Sequence, residues 1–461
     1  MFTRGMSRKH SSKICRFIVK NFKSIGDPGV DLELKPLTLL FGPQGAGKSN
    51  ILEAFWRIAK LFHSAKSAAL TFSYLKDIEP KYGDEKSIFH KEDPSKLLTI
   101  GIFVPIENHK IGGWIIGYRH ERGENKLLAF QRATLNEEVV LEIKEILNDS
   151  EHIRVISAPE NLRQEPVHIL YPLEQVTPEV FQLEPMYPNQ TLSKELEERS
   201  KLAQRIASTV IQTLTGDYTV KVALLTALRG IVTEKVSADQ TVELKGEVYP
   251  LDPDGKNLIH YLSFMYAATR YRHYLEFIGR WAKELGLTDL TAGFWGRNTL
   301  SAEFRDKDLN VPLKLAYASH GAKQALCVIA QLFSPTQDII LIEEPEISLH
   351  PESVAKLPLM FLDAIKLGKQ IIATTHSTIL PLALSRMVRK AKEEGLCEDP
   401  NELIAVYEIQ KTENGTQAMR LELNEKGYIR DYIPSFYTIE RELLNEWWES
   451  LPEETAETEE T

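Results

Sequence analysis

Leu37 to Phe41, LTLLF, form an unbroken apolar run that stops at Gly42. A run this short, closed by glycine, predicts a strand buried on both faces. The stretch before it, VDLELK, alternates and breaks at Pro36, so VDLELKPLTLLFG reads as two strands. CRFIVKNF (15–22) has the β-branched and aromatic content of another strand. In SNILEAFWRIAKLF (49–62) apolar residues recur at helical spacing, so a helix follows a glycine-rich loop. Residues Leu97 to Leu147 read as β-rich: LLTIGIFVPI and GGWIIGYRH are strand-like, with GENK as a turn. The Pro-rich stretch 171–190 is irregular and marks a boundary. SKELEERSKLAQRIASTVIQTL begins with a Ser cap, Ser193, and is helical. Residues 257–285 form a long helical stretch that divides into one or two helices. From Ala322 the order is helix, buried strand DIILI, loop, helix ESVAKLPLMFLDAIKLG, strand QIIATT, helix. That alternation predicts an α/β fold with a parallel sheet. No helical segment is long enough for a coiled-coil arm, and no internal repeat is found.

The loop between the first buried strand and its helix is Gly42-Pro43-Gln44-Gly45-Ala46-Gly47-Lys48-Ser49. It fits G-x-x-x-x-G-K-[ST]. Glycines let consecutive N–H groups curl around phosphates, and the next helix presents its positive end. Lys48 supplies a point charge for the β/γ-phosphates, and the Ser49 hydroxyl is a Mg²⁺ ligand. A chance glycine turn rarely carries Lys-Ser with both flanks.

Ile339 to Ile342 make a second buried strand, followed by Glu343 and Glu344. Ligands bind at that end of open α/β sheets. Glu343 would reach the metal, directly or through water, and Glu344 would orient and polarise the attacking water. Asp is more usual at the first position. Alone, Glu-Glu after a strand is mostly a solvated charge pair; with the phosphate loop it reads as catalytic. His376, at the end of QIIATT, is placed to hydrogen-bond the γ-phosphate or the water, although a lone His at a strand end is usually structural. Ser319-His320-Gly321 opens a helix. Its hydroxyl, glycine backbone and helix dipole suit an anion; an ordinary N-cap would explain the Ser and not the glycine.

Composition narrows the setting. Hydrophobic residues are 43% and charged residues 26% of the 461, an ordinary globular balance. No apolar run approaches the ~18 residues of a membrane span, and no apolar stretch follows the N-terminal charge, so neither a membrane anchor nor a signal peptide is expected. Cys15, Cys327 and Cys397 form no metal or disulfide pattern; a reducing cytoplasm is the expected location. The net charge of −10 disfavours an all-over basic coat for nucleic acid. A local patch stays open: seven Lys or Arg and no acid lie between Arg4 and Lys23, a run that also reads as a solvated leader. The end, EETAETEET, reads as a disordered acidic tail.

In order, these pieces resemble the ABC-type ATPases of the RecF/SMC/OLD class, within the AAA family. IVKNFKSIGDPGVDLELKPLTLLFGPQGAGKSNILEAF looks like that class's opening. IEEPEISLHPE looks like its Walker B, catalytic Glu and D-loop, and TTHST like its switch histidine. ASHGAKQ stands where the signature belongs, with His320 in place of Ser or Gly. The matched segments cover about a third of the chain; in the middle only LLTALRG and LDPDGKNL resemble recurring pieces, and the Q-loop Gln has no assignment. The resemblance implies a P-loop NTPase head built from both ends of the chain with inserted arm or lid segments. Its divisions would be 1–60 (the N-terminal part with Walker A), 61–310 (the rest of that lobe plus insertions), 311–440 (signature, Walker B and switch His) and an acidic tail at 441–461. It implies ATP and Mg²⁺, with Gly42 to Asn50, Ser319 and Gly321 at the nucleotide, Ser49 and Glu343 at the metal, and Glu344 and His376 as catalytic residues. ATP would be sandwiched between two heads, each supplying Ser319–Gly321 to the other.

OLD-type members add a Toprim nuclease. Here no Glu strand is followed by an Asp-x-Asp pair, so a nuclease within this chain is not expected. Two uses of the ATPase remain. One is a head that holds duplex DNA in its ATP-closed dimer, favoured by the basic run and by SRMVRKAK, where Arg389 and Lys390 are candidate contacts. The other is a regulator of a separate effector, such as a nuclease, favoured by the net charge. A transporter ATPase is disfavoured by N-F-K-S and Glu-Glu-Pro-Glu.

Overall fold

The computed structural model describes residues 13–65, 88–121, 126–147, 152–157, 167–171, 194–215, 221–230, 235–237, 250–296, 298–307, 309–430 and 434–450. Residues 1–12 of the basic run, 172–190 of the Pro-rich stretch, Gly123–Asn125 of the turn, Ser193 and the EETAETEET end lie outside them.

The centre is a six-stranded sheet whose order is not the chain order. It runs β10 (Val222–Leu225), β15 (Ile339–Glu343), β16 (Gln370–Thr375), β3 (Leu37–Phe41), β17 (Ile404–Thr412) and β18 (Gly415–Leu421). The first five are mutually parallel, and β17–β18 is an antiparallel hairpin. The strand from the N-terminal end, β3, thus sits between two strands from the C-terminal end.

Both faces of this sheet are covered, which is why its strands read as continuous apolar runs. Leu39, Phe41, Ile340, Ile342, Ile371 and Ala373 point into one core. Leu40, Ile339, Leu341 and Ile372, the alternate residues, point into the other. Helix α1 (Lys48–Ala65) lays Ile51, Leu52, Phe55, Ile58 and Phe62 on the second face, the i, i+3/i+4 stripe seen in the sequence.

Against that side packs an antiparallel sheet ordered β2 (Val30–Glu33), β1 (Arg16–Lys20), β4 (Leu98–Pro105), β5 (Ile111–Glu121), β6 (Lys126–Leu135), β7 (Glu138–Leu147), β8 (His152–Ser157) and β9 (Val167–Tyr171). Helix α2 (Lys194–Leu214) buries Ala203, Ile206, Ala207 and Val210 in the same core. A smaller sheet, of β11 (Val236–Ser237), β13 (Thr299–Asp306), β12 (Leu287–Phe294) and β14 (Pro312–Lys314), flanks the other face. Helices α3 (Leu258–Ala267) and α4 (Arg272–Glu284) cover that face; they are the two pieces of the long 257–285 stretch. The fold is thus the α/β P-loop head class, with both ends of the chain in the central sheet.

Helix α5 (His320–Leu332) opens at Ser319-His320-Gly321 as the sequence indicates, with Ser319 as its cap. Two local differences from the sequence reading have physical causes. The helix expected over 352–368 is two pieces, a turn Pro351–Val354 and α6 (Leu357–Lys366). Pro358 lacks an N–H and its ring would strike the carbonyl of Val354, so one helix cannot run through. The second is β10, a core strand from the middle of the chain. Its four apolar residues, VALL, are too short to show a period. Beyond β16 come α7 (Ile379–Glu393) and, at the end, α8 (Pro434–Glu449).

Candidate functional site

β3 delivers the chain to Gly42, and the loop turns back into α1 through positive φ at Gly42, Gly45 and Gly47. At two of these a side chain has no room. A Cβ on Gly42 would lie 2.2 Å from the Ile409 carbonyl oxygen, and one on Gly47 would lie 2.1 Å from Thr416 Oγ1. The β17–β18 hairpin therefore braces the loop from outside. Thr416 donates its hydroxyl to the Ala46 carbonyl (2.8 Å) and lies 2.8 Å from Ser24 Oγ. Asn50 Nδ2 donates to the same Ser24 Oγ at 2.7 Å. The Asn-Phe-Lys-Ser segment, the loop and the hairpin are thus one hydrogen-bonded unit. Gly45 faces open space. Of the loop N–H groups from Gln44 to Gly47, only that of Ala46 makes a described hydrogen bond, to Pro43.

Lys48 is buried at 5% exposure. Its Nζ donates to the carbonyls of Gly42 (2.8 Å) and Pro43 (3.0 Å) and lies 3.1 Å from His376 Nε2. Burial pushes its pKa down to about 8, with Glu344 and Glu346 opposing the shift. His376 is also pushed down, by burial and then by Lys48, so at neutral pH the imidazole is uncharged. Glu344 Oε1 lies 3.6 Å from the same Nε2. The three meet because β16 lies between β3 and β15: His376, at the end of the middle strand, falls between the Lys and Glu that follow its neighbours.

Two carboxylates fix this row. Glu346 accepts from the Thr375 hydroxyl (2.6 Å) and from the N–H groups of His376 (2.9 Å) and Ser377 (3.2 Å). Glu343 takes the Ala227 N–H on Oε2 at 3.0 Å. The Ser49 hydroxyl is exposed and makes no hydrogen bond among the described residues.

The set can do definite chemistry. A phosphate chain fits the donors present: unspent loop N–H groups, the α1 N-terminus and a buried ammonium hydrogen-bonded to no carboxylate. Ser49 and Glu343 are oxygen donors of the kind Mg²⁺ takes. No group of three or more His, Cys, Asp or Glu is arranged to hold a metal among the described residues.

Ser319 and Gly321 stand apart from this row. Ser319 Oγ accepts the Ala322 N–H at 3.2 Å, an N-cap, and remains exposed with His320. Neither Ser319 nor Gly321 hydrogen-bonds the 42–49 loop of the same chain. Gly321 lies against the loop after the carboxylates, where a Cβ would come 2.2 Å from Ser348 O.

Sequence reasoning passed over Thr416, Glu346 and Arg229. Glu346 was visible as the third acid of Glu-Glu-Pro-Glu. Thr416 lies hundreds of residues from its partners and had no signal. Arg229 belongs to LLTALRG, and the structure sets that fragment against LDPDGKNL: the Thr226 N–H donates to Pro253 O (2.9 Å) and the Gly230 N–H to Asp254 O (3.1 Å).

Two family models match the sequence. One, "AAA ATPase domain", covers residues 13–161. The other, "AAA domain, putative AbiEii toxin, Type IV TA system", covers residues 158–383. The chain belongs to the AAA-family ATPases. Among solved structures this AAA-family chain is similar to heads of SMC proteins. A head bound to the C-winged helix domain of ScpA has 13% identity and a TM-score of 0.43, over 90% of this chain and 98% of that one. The Thermotoga maritima head has 12% identity and a TM-score of 0.37, over 89% and 100%. The Pyrococcus furiosus head bound to the C-terminal domain of ScpA has 11% and 0.40, over 94% and 99%. No curated protein matches the chain. No described helix of this AAA-family ATPase is long and apolar enough to cross a membrane.

Proposed function

We propose that the chain is an ABC-type ATPase head that binds and hydrolyses ATP, closes as a dimer on the nucleotide, and holds duplex DNA when closed. The observation that carries the catalytic part is the row Lys48, His376, Glu344 at the C-terminal ends of three strands of one parallel sheet. In this reading loop N–H groups and Lys48 hold the β- and γ-phosphates. Mg²⁺, held by Ser49 and Glu343, would neutralise phosphate charge. Glu344 accepts a proton from the water that attacks the γ-phosphorus, the bond to the β,γ-bridging oxygen breaks, and ADP leaves with phosphate. His376, neutral, donates to the γ-phosphate or orients the water. Positioning and charge neutralisation do most of the work in such reactions. Ser319, exposed, and Gly321, half-buried, make no hydrogen bond to the phosphate loop of their own chain among the described residues and, in this reading, serve the partner's nucleotide.

The test is a pair of variants. Lys48→Ala should weaken ATP binding about 10- to 100-fold, the loss of one charged hydrogen bond of ~1.5–3 kcal/mol. Glu344→Gln should bind ATP and turn it over slowly. Calorimetry showing unchanged ATP binding in the first, or wild-type turnover in the second, removes the reading.

The DNA part is supported by an open cavity of about 490 Å³ between α7 and the turn after β18. Arg386, Arg389, Lys392 and Lys426 line it together with Glu393 and Glu425, so basic groups outnumber acidic ones, and the four basic residues make no ion pair among the described residues. Lys390, the other candidate contact, instead pairs with Glu394 at 3.6 Å. A second reading, control of a separate effector protein, is favoured by α8: Leu443, Leu444, Trp447 and Trp448 are all more than half exposed there, an apolar surface that suits a protein partner. Pull-down of the ATP-trapped Glu344→Gln protein, scored for protein and nucleic acid, separates the two.

A further inference from the structure

Arg229 is 2% exposed, and among the described residues its hydrogen-bond partners are all backbone carbonyls. Its guanidinium is spent on backbone carbonyls. Nη1 donates to Thr226 O (2.8 Å) and Glu343 O (2.6 Å), and Nη2 to Glu344 O (2.7 Å). Nε reaches Gln324 O, in the first turns of α5, at 3.4 Å. Burial pushes its pKa down, and the nearby carboxylates of Glu346, Glu344 and Glu343 oppose that shift without cancelling it.

Two of those carbonyls belong to the proposed metal and catalytic glutamates. Glu344 has φ 44°, a left-handed conformation. A residue with a Cβ holds such a conformation only where its surroundings over-determine it. Here both ends of the residue are held: the Glu344 N–H donates to Thr374 O (3.0 Å) and lies 3.3 Å from Thr374 Oγ1, and the Glu344 carbonyl accepts from the Ile347 N–H (3.1 Å) and from Arg229, the one side chain on it among the described residues. Turning that peptide would swing the carboxylate off the row with His376. The same arginine also registers the helix that begins at Ser319. Gly230, at φ 80°, brings the chain so close that a Cβ would sit 2.9 Å from the Gln324 nitrogen. A planar fork with several fixed donors can hold carbonyls from three segments together, which the single ammonium of lysine cannot.

We propose that Arg229 is a positioning residue: it fixes the left-handed backbone of Glu344 and ties that conformation to the start of α5. This rests on the reading of Glu344 as the group that activates water.

The test is a double-mutant cycle of Arg229→Lys with Glu344→Gln, after each protein has been shown to melt cooperatively. Arg229→Lys should bind ATP within about threefold of wild type while its single-turnover rate falls about tenfold or more, the scale of a catalytic group displaced by ~1 Å. In the Glu344→Gln background the same change should alter the residual rate by less than about twofold, because the group it positions is already gone. Equal losses in both backgrounds, or affinity falling as far as rate, would mean a purely structural arginine and overturn the proposal alone. Glu344→Gln turning over at the wild-type rate would overturn the hydrolysis reading together with it. If Arg229→Lys does not melt cooperatively, Arg229→Gln, which keeps a planar donor, replaces it in the same cycle.

Discussion

Adding one methyl group at Gly321 tests how α5 and the catalytic loop work together. The glycine is helical, so alanine meets no backbone strain there, and it gains about 1 kcal/mol of helix propensity. What it meets is Ser348 O, 2.2 Å from the new Cβ. Ordinary contact begins near 3.4 Å, so α5 and the 344–350 loop must part by roughly 1 Å, a distance over which misplaced catalytic groups lose about 100-fold in rate. Overpacking of this kind costs about 1–3 kcal/mol, so with the propensity gain the net loss of stability should be about 2 kcal/mol at most. Gly321→Ala should therefore melt within several degrees of wild type and bind ATP normally. Turnover should fall 10- to 100-fold. Calorimetry, thermal unfolding and phosphate release on one preparation suffice. Turnover within twofold of wild type, in a protein that melts cooperatively, would show that the close approach of Gly321 to Ser348 does not matter to catalysis.

Three other outcomes are expected. Raising the pH from 7.5 to 9 should weaken ATP binding roughly tenfold, because the Lys48 ammonium, held at about 8 by burial, is present below that pH and lost above it; titrations should flatten in Lys48→Arg. Mixing Lys48→Ala with Ser319→Arg, each inactive alone, should restore roughly a quarter of wild-type turnover, since half the dimers are mixed and each has one intact site; no recovery after demonstrated subunit exchange would exclude a signature acting across the dimer. Duplex DNA should bind the ATP-trapped protein better than the apo protein, and Arg386→Glu or Arg389→Glu should weaken it and reduce the salt slope by about one each; equal binding with and without ATP would remove the DNA reading.

The α/β class was legible because LTLLF, DIILI and QIIATT are buried on both faces and so read as unbroken apolar runs. The loop was legible because glycine, lysine and serine must stand at fixed spacing along one stretch of backbone. Lys48, Glu344 and His376 could each be picked out from local sequence, but their meeting depends on β16 lying between β3 and β15, and strand order is a long-range property. VALL escaped because four apolar residues fit a strand or a buried helical turn equally. Arg229 escaped for a different reason: its partners are carbonyls, which every residue carries, so no side-chain pattern marks it. Pro358 was visible, and its effect on the preceding turn could have been read.

The insertion of β3 between β16 and β17 bears on how the protein is made. When residue 49 leaves the ribosome, the strand that ends at the phosphate loop has neither of its neighbours; they follow more than 300 residues later. Thr416, which braces Ala46, comes later still. The loop can take its final shape only once residue 416 has been made, and nucleotide cannot steady the nascent chain before then. Closure of so long a span makes for slow folding. A chain truncated before β17 exposes an edge of β3 inside what should be the core, a surface that invites aggregation.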